Sequence, residues 1–428
     1  MLQRLTGLLF FVFCVVDLFP QFQGPVPAIS EGFGAEGPYQ VALNVTPSPL
    51  WTGINVSVYS PVGGDLPAPV IFFAHGFNAN YAFLYHNLLQ HFASRGYVAV
   101  FSPYPGMAAP LLTPVTILER YDVLWDGFKK AVQEFPDLID STSVGFIGHS
   151  FGAGAVPAMT KRAINSGWGS NGCFMMPLAP WYFYDISEEE LQNFAPQTKL
   201  LMQVYQGDIV NDHRLAIDIF DHISIADAEK DFVEVFSDNY QGYFYNADHG
   251  LPETFSLYNA LDSYAVFRLA DALADYALKG NPDAKTVALG NGSPEQINMG
   301  PLKPLLVSDN PSPVIPPSNY LYRCDNYLNP RIAFCSGLGI DDQEILSSNI
   351  SVFPNPAHDL LFVELRKEST HEILAEIIDI SGRSLIKQTF KPCHSFSLNV
   401  SGIGEGLYFL RVKSGEMAFQ EKFVVRIK

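Results

Sequence analysis

Seven strongly apolar runs punctuate the chain between about Tyr39 and Phe236: INVSVYS (54–60), VIFFA (70–74), YVAVF (97–101), VGFIG (144–148), CFMMPL (173–178), KLLMQVY (199–205) and FVEVF (232–236). Several lack the in-out alternation of a half-exposed strand, as expected for strands covered on both faces of a parallel sheet. Between them, Leu84 to Ala93, Ile117 to Glu134, Ala153 to Ile164 and His213 to His222 carry apolar residues at helical spacing, and Phe255 to Leu278 predicts a closing helix. The alternation predicts βαβ units and an α/β fold with a mostly parallel sheet flanked by helices. After Gly280 the periodicity stops. NGS at 291–293 and PSPVIPPSN at 311–319 read as tail and linker over 281–347. From 348 to 428 short alternating strands separated by Gly-containing turns predict a small all-β sandwich.

The length of 428 residues allows two or three domains. Apolar residues at 48% and charged residues at 16% supply a large core, and the net charge of −18 argues against nucleic acid and anionic membranes, which need basic patches. Arg4 followed by an apolar stretch from Leu5 through Phe19 has the shape of a signal peptide, assigned to 1–24 and too short to span a membrane. Cys14 does not make a lipoprotein signal, because Phe13 stands where a small residue is required. The rest, 25–280, is the expected main domain of an exported chain. Cys173, Cys324, Cys335 and Cys393 remain in it and beyond, and Cys324 with Cys335, closing a short loop, is the expected disulfide. No Cys/His grouping has zinc-ligand spacing, and no metal or other cofactor is expected.

Residues 148 to 152 read Gly148-His149-Ser150-Phe151-Gly152, a G-x-S-x-G pattern. It follows the apolar strand VGFIG and precedes the small-residue helix start AGAVPAM, the strand, strained turn and helix that expose a nucleophilic serine in the α/β-hydrolase fold. A serine needs a histidine base, which in this fold follows an acid further along the chain. His213 and His222 fall inside a helical stretch, whereas His249 sits in the loop YNADHGLP, so His249 is the expected base. The acid belongs after the strand KLLMQVY, where Asp208, nearest the strand end, is the expected acid and Asp212, four residues on, can also reach; Asp248 beside the histidine reads as a solvated charge. The oxyanion formed by attack needs two backbone donors. Phe151, after the nucleophile, supplies one, and Phe77, in the His75-Gly76-Phe77 turn after VIFFA, supplies the other.

GPYQV (37–41), the HGF loop, the GHSFG elbow, the PLAPW run ending in Trp181, the QGD loop and the DHG loop resemble, in order, the cutinase-like polyester hydrolases of the dienelactone hydrolase superfamily. The stretch IFFAHGFNANYAFLYHNLLQHFASRGYVAVF is also similar to chlorophyllases. The resemblance covers about 37 to 280 and implies a secreted serine carboxylic ester hydrolase acting on bulky or polymeric esters through an acyl-enzyme. It further implies that Phe77 and Trp181 line the substrate cleft. The chain departs from that family at Phe151, usually Met, and at Ala153, usually Gly. About 17 residues separate Trp181 from the next strand, too few for a cap domain, so an open cleft is expected. A monomer is expected. The stretch 349–428 resembles the C-terminal sorting domain of the type IX secretion pathway, through VFPNP, IIDISGRSL, GLYFLRV and the final KFVV, which implies contact with that machinery and passage across the outer membrane.

Overall fold

The computed structural model describes residues 22–106, 116–255, 258–313, 315–337, 350–365, 369–379, 383–414 and 417–426. The body of the expected signal peptide lies outside them. The last three positions assigned to that leader, 22–24, pack on the first unit instead: the Gln23 amide donates to the Tyr258 carbonyl at 2.8 Å and Phe22 meets the Tyr258 ring edge-on. The chain divides into two compact units at Gly339/Ile340.

The first unit is built on one nine-stranded sheet. Its early strands are β1 (Gln40–Pro47), β2 (Asn55–Val62), β3 (Ala68–Ala74), β4 (Val98–Phe101) and β5 (Ile139–His149), followed by β6 (Gly172–Leu178), β7 (Thr198–Tyr205) and β8 (Lys230–Val235). A small hairpin, β9 (Asp238–Tyr240) with β10 (Tyr243–Tyr245), lies apart, and β11 (Leu306–Ser308) completes the sheet in the order β1-β2-β4-β3-β5-β6-β7-β8-β11. From β4 through β8 neighbours run parallel, while β1, β2 and β11 pair antiparallel at the two ends.

Helices α1 (His86–Ser94), α2 (Ile117–Glu134), α3 (Phe151–Asn165), α4 (Glu188–Leu191), α5 (His213–His222) and α6 (Arg268–Lys279) supply the covering layers. The lack of alternation in the apolar runs has its reason here. Along β3, Val70 and Phe72 pack with α2 and α3 on one face, and Ile71 and Phe73 pack with α1 and α6 on the other. The helix expected from Phe255 begins later, at Ala260, and passes through a π-helical segment at Asp262–Phe267. Asn259 and Asp262 cap each other's surroundings: the Asn259 amide donates to Asp262 Oδ2 at 2.8 Å, and Asn259 Oδ1 accepts the Leu261 amide at 2.9 Å.

The segment read as tail and linker departs most from expectation. Ala284, Ala288, Leu289, Met299 and Leu302 enter the core under α6, and β11 extends the sheet. Further on, Leu321 and Tyr322 donate backbone N–H groups to the carbonyls of Ile209 and Val210, both at 2.8 Å, and Cys324 is disulfide-bonded to Cys335. The Arg331 guanidinium, buried, forks onto the Asp218 carboxylate of α5 at 2.5 and 3.0 Å. Little of this uses repeated backbone geometry, so no periodicity announces it.

The second unit contains two antiparallel sheets. One is formed by β12 (Ile350–Phe353) and β13 (Leu360–Leu365), the other by β14 (Ile373–Ile378) and β15 (Ser384–Phe390); β16 (Ser395–Asn399) joins the first sheet, and β17 (Gly406–Ser414) and β18 (Met417–Val425) join the second. Alternate residues such as Leu361, Val363, Ile373, Ala375 and Leu410 face a common core, as the alternating pattern requires.

Candidate active site

Ser150 stands between β5 and α3 with φ 54° and ψ −117°, a backbone that L-residues rarely adopt and that is accommodated because Gly148 and Gly152, two positions to either side, leave room for the tight turn. A Cβ on Gly152 would lie 2.1 Å from the Ala74 carbonyl oxygen, and one on Gly148 would lie 2.5 Å from that of Gly152. The turn projects the Ser150 hydroxyl from the end of the sheet. Its oxygen lies 2.8 Å from His249 Nε2, and His249 Nδ1 lies 2.8 Å from Asp208 Oδ2. A carboxylate only accepts, so Nδ1 carries the proton and Nε2 is free to receive the serine proton. Asp208 is held as well as holding: its Oδ1 accepts the backbone amides of Val210 at 2.7 Å and Asn211 at 3.1 Å.

Asp212, the other acid the sequence left open, does not face the histidine. It caps α5, and its carboxylate receives the Arg214 guanidinium, at 2.6 Å in the closest contact, and the Cys324 amide at 3.0 Å. Asp248 is not a freely solvated charge either. It shapes the turn that carries the base by accepting the Asn246 side chain at 2.6 Å and the Gly250 amide at 3.0 Å. His213 and His222 lie in α5, where their rings reach backbone carbonyls of Tyr205 and Asp218.

Phe151 opens α3, so its amide is among the helix donors without an intrahelical acceptor, at the edge of the cavity that Phe151 also lines. The peptide that leads into Phe77 is clamped from both sides. Tyr104 donates its amide to His75 Nε2 at 3.0 Å, which leaves the proton on Nδ1 to be donated to the Gly76 carbonyl at 2.7 Å. Burial drives the His75 imidazole down to a pKa of about 3, against the smaller upward pull of that carbonyl, so the ring stays neutral in this role. Because a peptide is planar, fixing the Gly76 carbonyl also fixes the direction of the Phe77 N–H.

Beside Ser150 lies a cavity of about 440 Å³, with Phe77 and Phe151 on one side and Trp181 and Tyr184 on another. Phe77 and Phe151 rings are 5.6 Å apart, and the Trp181 amide donates to the Ser150 carbonyl at 2.9 Å, tying that wall to the nucleophile. Several contributors escaped the sequence reading. Tyr322 meets the Trp181 ring at 4.2 Å and lines the same cavity with Leu328, both from the stretch assigned to a linker. Arg120, over the Phe77 ring, and Glu253 add charge to the walls. Asn211 places its side-chain nitrogen 3.0 Å from the Ala179 carbonyl and 3.4 Å from the Ser150 hydroxyl. The usable signal for Asn211 was its place in QGDIVND; for Tyr322 there was none.

The second unit has a relative. Residues 351–426 match the secretion system C-terminal sorting domain. That domain directs export by the type IX route to the cell surface or the outside, and it engages the secretion machinery. The match reaches no residue of the first unit, and no curated protein matches the chain.

Proposed function

We propose that the first unit is a secreted serine carboxylic ester hydrolase. The observation that carries this reading is the continuous hydrogen-bonded run Ser150, His249, Asp208, with both links at 2.8 Å, opening on an apolar cavity. Ser150 attacks the ester carbonyl and gives its proton to His249; Asp208 keeps the imidazole in the required tautomer and stabilises its charged form. The amides of Phe77 and Phe151 receive the oxyanion. His249 then protonates the departing alcohol, and water, deprotonated by the same histidine, releases the acid from the acyl-enzyme.

Bulky or polymeric esters are the proposed substrates. The walls around Ser150 are aromatic, with Phe77 and Trp181 in the contact roles the resemblance implies, and export places the enzyme where substrates too large for uptake are met. The test is p-nitrophenol release from short and medium acyl esters by the exported full-length chain beside its Ser150→Ala variant. Turnover that falls by roughly a thousandfold or more in the variant supports the mechanism. Equal inertness of two folded proteins overturns it.

A further inference from the structure

His149 and Tyr85 lie outside the catalytic run, yet both are fully enclosed beneath it and both are polar. The Gly76 amide is 2.9 Å from the Tyr85 hydroxyl oxygen, that oxygen is 2.9 Å from His149 Nδ1, and His149 Nε2 is 2.7 Å from the backbone carbonyl of His249. Donors and acceptors assign themselves. The Gly76 N–H can only donate, so the single tyrosine proton goes to His149 Nδ1; the remaining imidazole proton is on Nε2 and goes to the His249 carbonyl. Burial holds the His149 pKa well below the ordinary value, with the neighbouring His249 pulling the same way, so the neutral ring that this arrangement needs is the stable one. Glu253 is the charged group facing it, with a carboxylate oxygen 3.7 Å from Nδ1.

We propose that Tyr85 and His149 are positioning residues that couple the Phe77 turn to the His249 loop, aligning oxyanion donor and base on Ser150 through one buried chain of hydrogen bonds. The inference rests on the serine hydrolase reading above. Gly76 is the end of the chain that shows the fit: a Cβ there would approach His149 Nδ1 to 3.0 Å and the Tyr85 oxygen to 3.2 Å. With the Gly76 amide held by Tyr85 and its carbonyl by His75, the peptide ahead of Phe77 has no free rotation left. At the other end, His149 is covalently next to Ser150, so the loop bearing the base is measured off directly from the nucleophile. Misplacement of a reacting group by about 1 Å is enough to cost roughly a hundredfold in rate.

The decisive variant is Tyr85→Phe, which keeps the ring and removes the hydroxyl. On p-nitrophenyl esters kcat is expected to fall by about ten- to a hundredfold with KM little changed. His149→Gln, which can still donate toward the His249 carbonyl, is expected to retain more of kcat than His149→Leu. Amide hydrogen exchange adds a readout independent of turnover: in Tyr85→Phe the amides of 76–79 and 247–250 speed up together, while those of 208–212 do not. An unchanged kcat, a Gln variant no better than Leu, or faster exchange in only one of the two loops overturns the proposal. If the native protein neither turns over esters nor is labelled at Ser150 by a fluorophosphonate, the hydrolase reading falls, and the exchange experiment alone decides whether the loops are coupled.

Discussion

The loops bearing Asp208 and His249 approach the same serine from beyond the adjacent strands β7 and β8, but they are held by different means. The Asp208 loop is braced from outside. Leu321 and Tyr322 bond to its carbonyls, the Asp212 amide returns a bond to Tyr322 at 3.1 Å, and a disulfide closes the bracing segment. The His249 loop is shaped by its own Asp248 turn and meets its surroundings through backbone bonds: the Ala247 amide donates to the Ser237 hydroxyl at 2.9 Å, the Ala247 carbonyl takes the Gly207 amide at 2.8 Å, and the His249 carbonyl sits on His149. In the proposed mechanism the acid stays put while the imidazole must serve first the nucleophile and then the leaving group. A covalently stapled support suits the first task, and a short self-contained turn suits the second.

The strongest way to break that comparison is to exchange the roles of the two acids. Asp208→Asn is expected to lower kcat by roughly ten thousandfold, because the amide offers His249 the wrong tautomer, and to cost little stability, because Asn can still accept the Val210 and Asn211 amides. Asp212→Asn should do the reverse. It strands the buried Arg214 guanidinium, so unfolding by denaturant should show a loss of about 3 to 5 kcal/mol with kcat per folded molecule nearly unchanged. A rate loss in Asp212→Asn as deep as in Asp208→Asn would end the distinction between them.

Cutting the brace is the next test. The double variant Cys324→Ser with Cys335→Ser removes a crosslink of sequence separation 11, for an expected loss of about 2 to 4 kcal/mol and a lower kcat as the acid loop loosens. If stability falls and kcat holds, the brace supports the fold and not the acid.

A region remote from both loops calibrates the pH axis. His91 is buried between α1 and α6; burial alone would lower its pKa, but the carboxylates of Asp271 at 3.0 Å and Glu36 overcome this and raise it to about 9. The protonated form is therefore the one the fold stabilises. That stability, about 3 kcal/mol, is fully present below pH 6.5 and is lost as pH rises through 9. His91→Gln should flatten the alkaline fall in thermal stability; an unchanged pH profile would show that the cluster does not supply it. The smallest effect is expected in the base loop itself, where Asp248→Ala removes two half-buried turn bonds and should cost about 1 kcal/mol of stability, with a fall in kcat as the base loosens.

Much of this arrangement was legible in the sequence. VIFFA, VGFIG and CFMMPL read as buried strands because both of their faces meet helices, and Gly148 and Gly152 marked the strained turn because no larger residue fits there. Chain order together with its place in a loop, where His213 and His222 fall in a helical stretch, singled out His249, and the approach to a strand end favoured Asp208. Tyr322 and Leu328 were not legible, since an apolar residue in an aperiodic stretch carries no sign of the wall it will form; Asn211 was signalled only by its place in QGDIVND. The choice between Asp208 and Asp212 also stayed open, because four residues of separation hold both within reach of the same strand end.

Local patterning, with periodicities of two and 3.6, glycine where no Cβ fits and the order of nucleophile, acid and base, is written along the chain and determined the sheet, the elbow and the roster of candidate groups. Only the tertiary structure decided which carboxylate faces His249, that Tyr85 and His149 link two loops, and that residues 315–337 pack against the site. Those outcomes depend on hydrogen bonds between residues roughly 40 to more than 100 positions apart, and such pairings leave no period in the sequence from which they could be read.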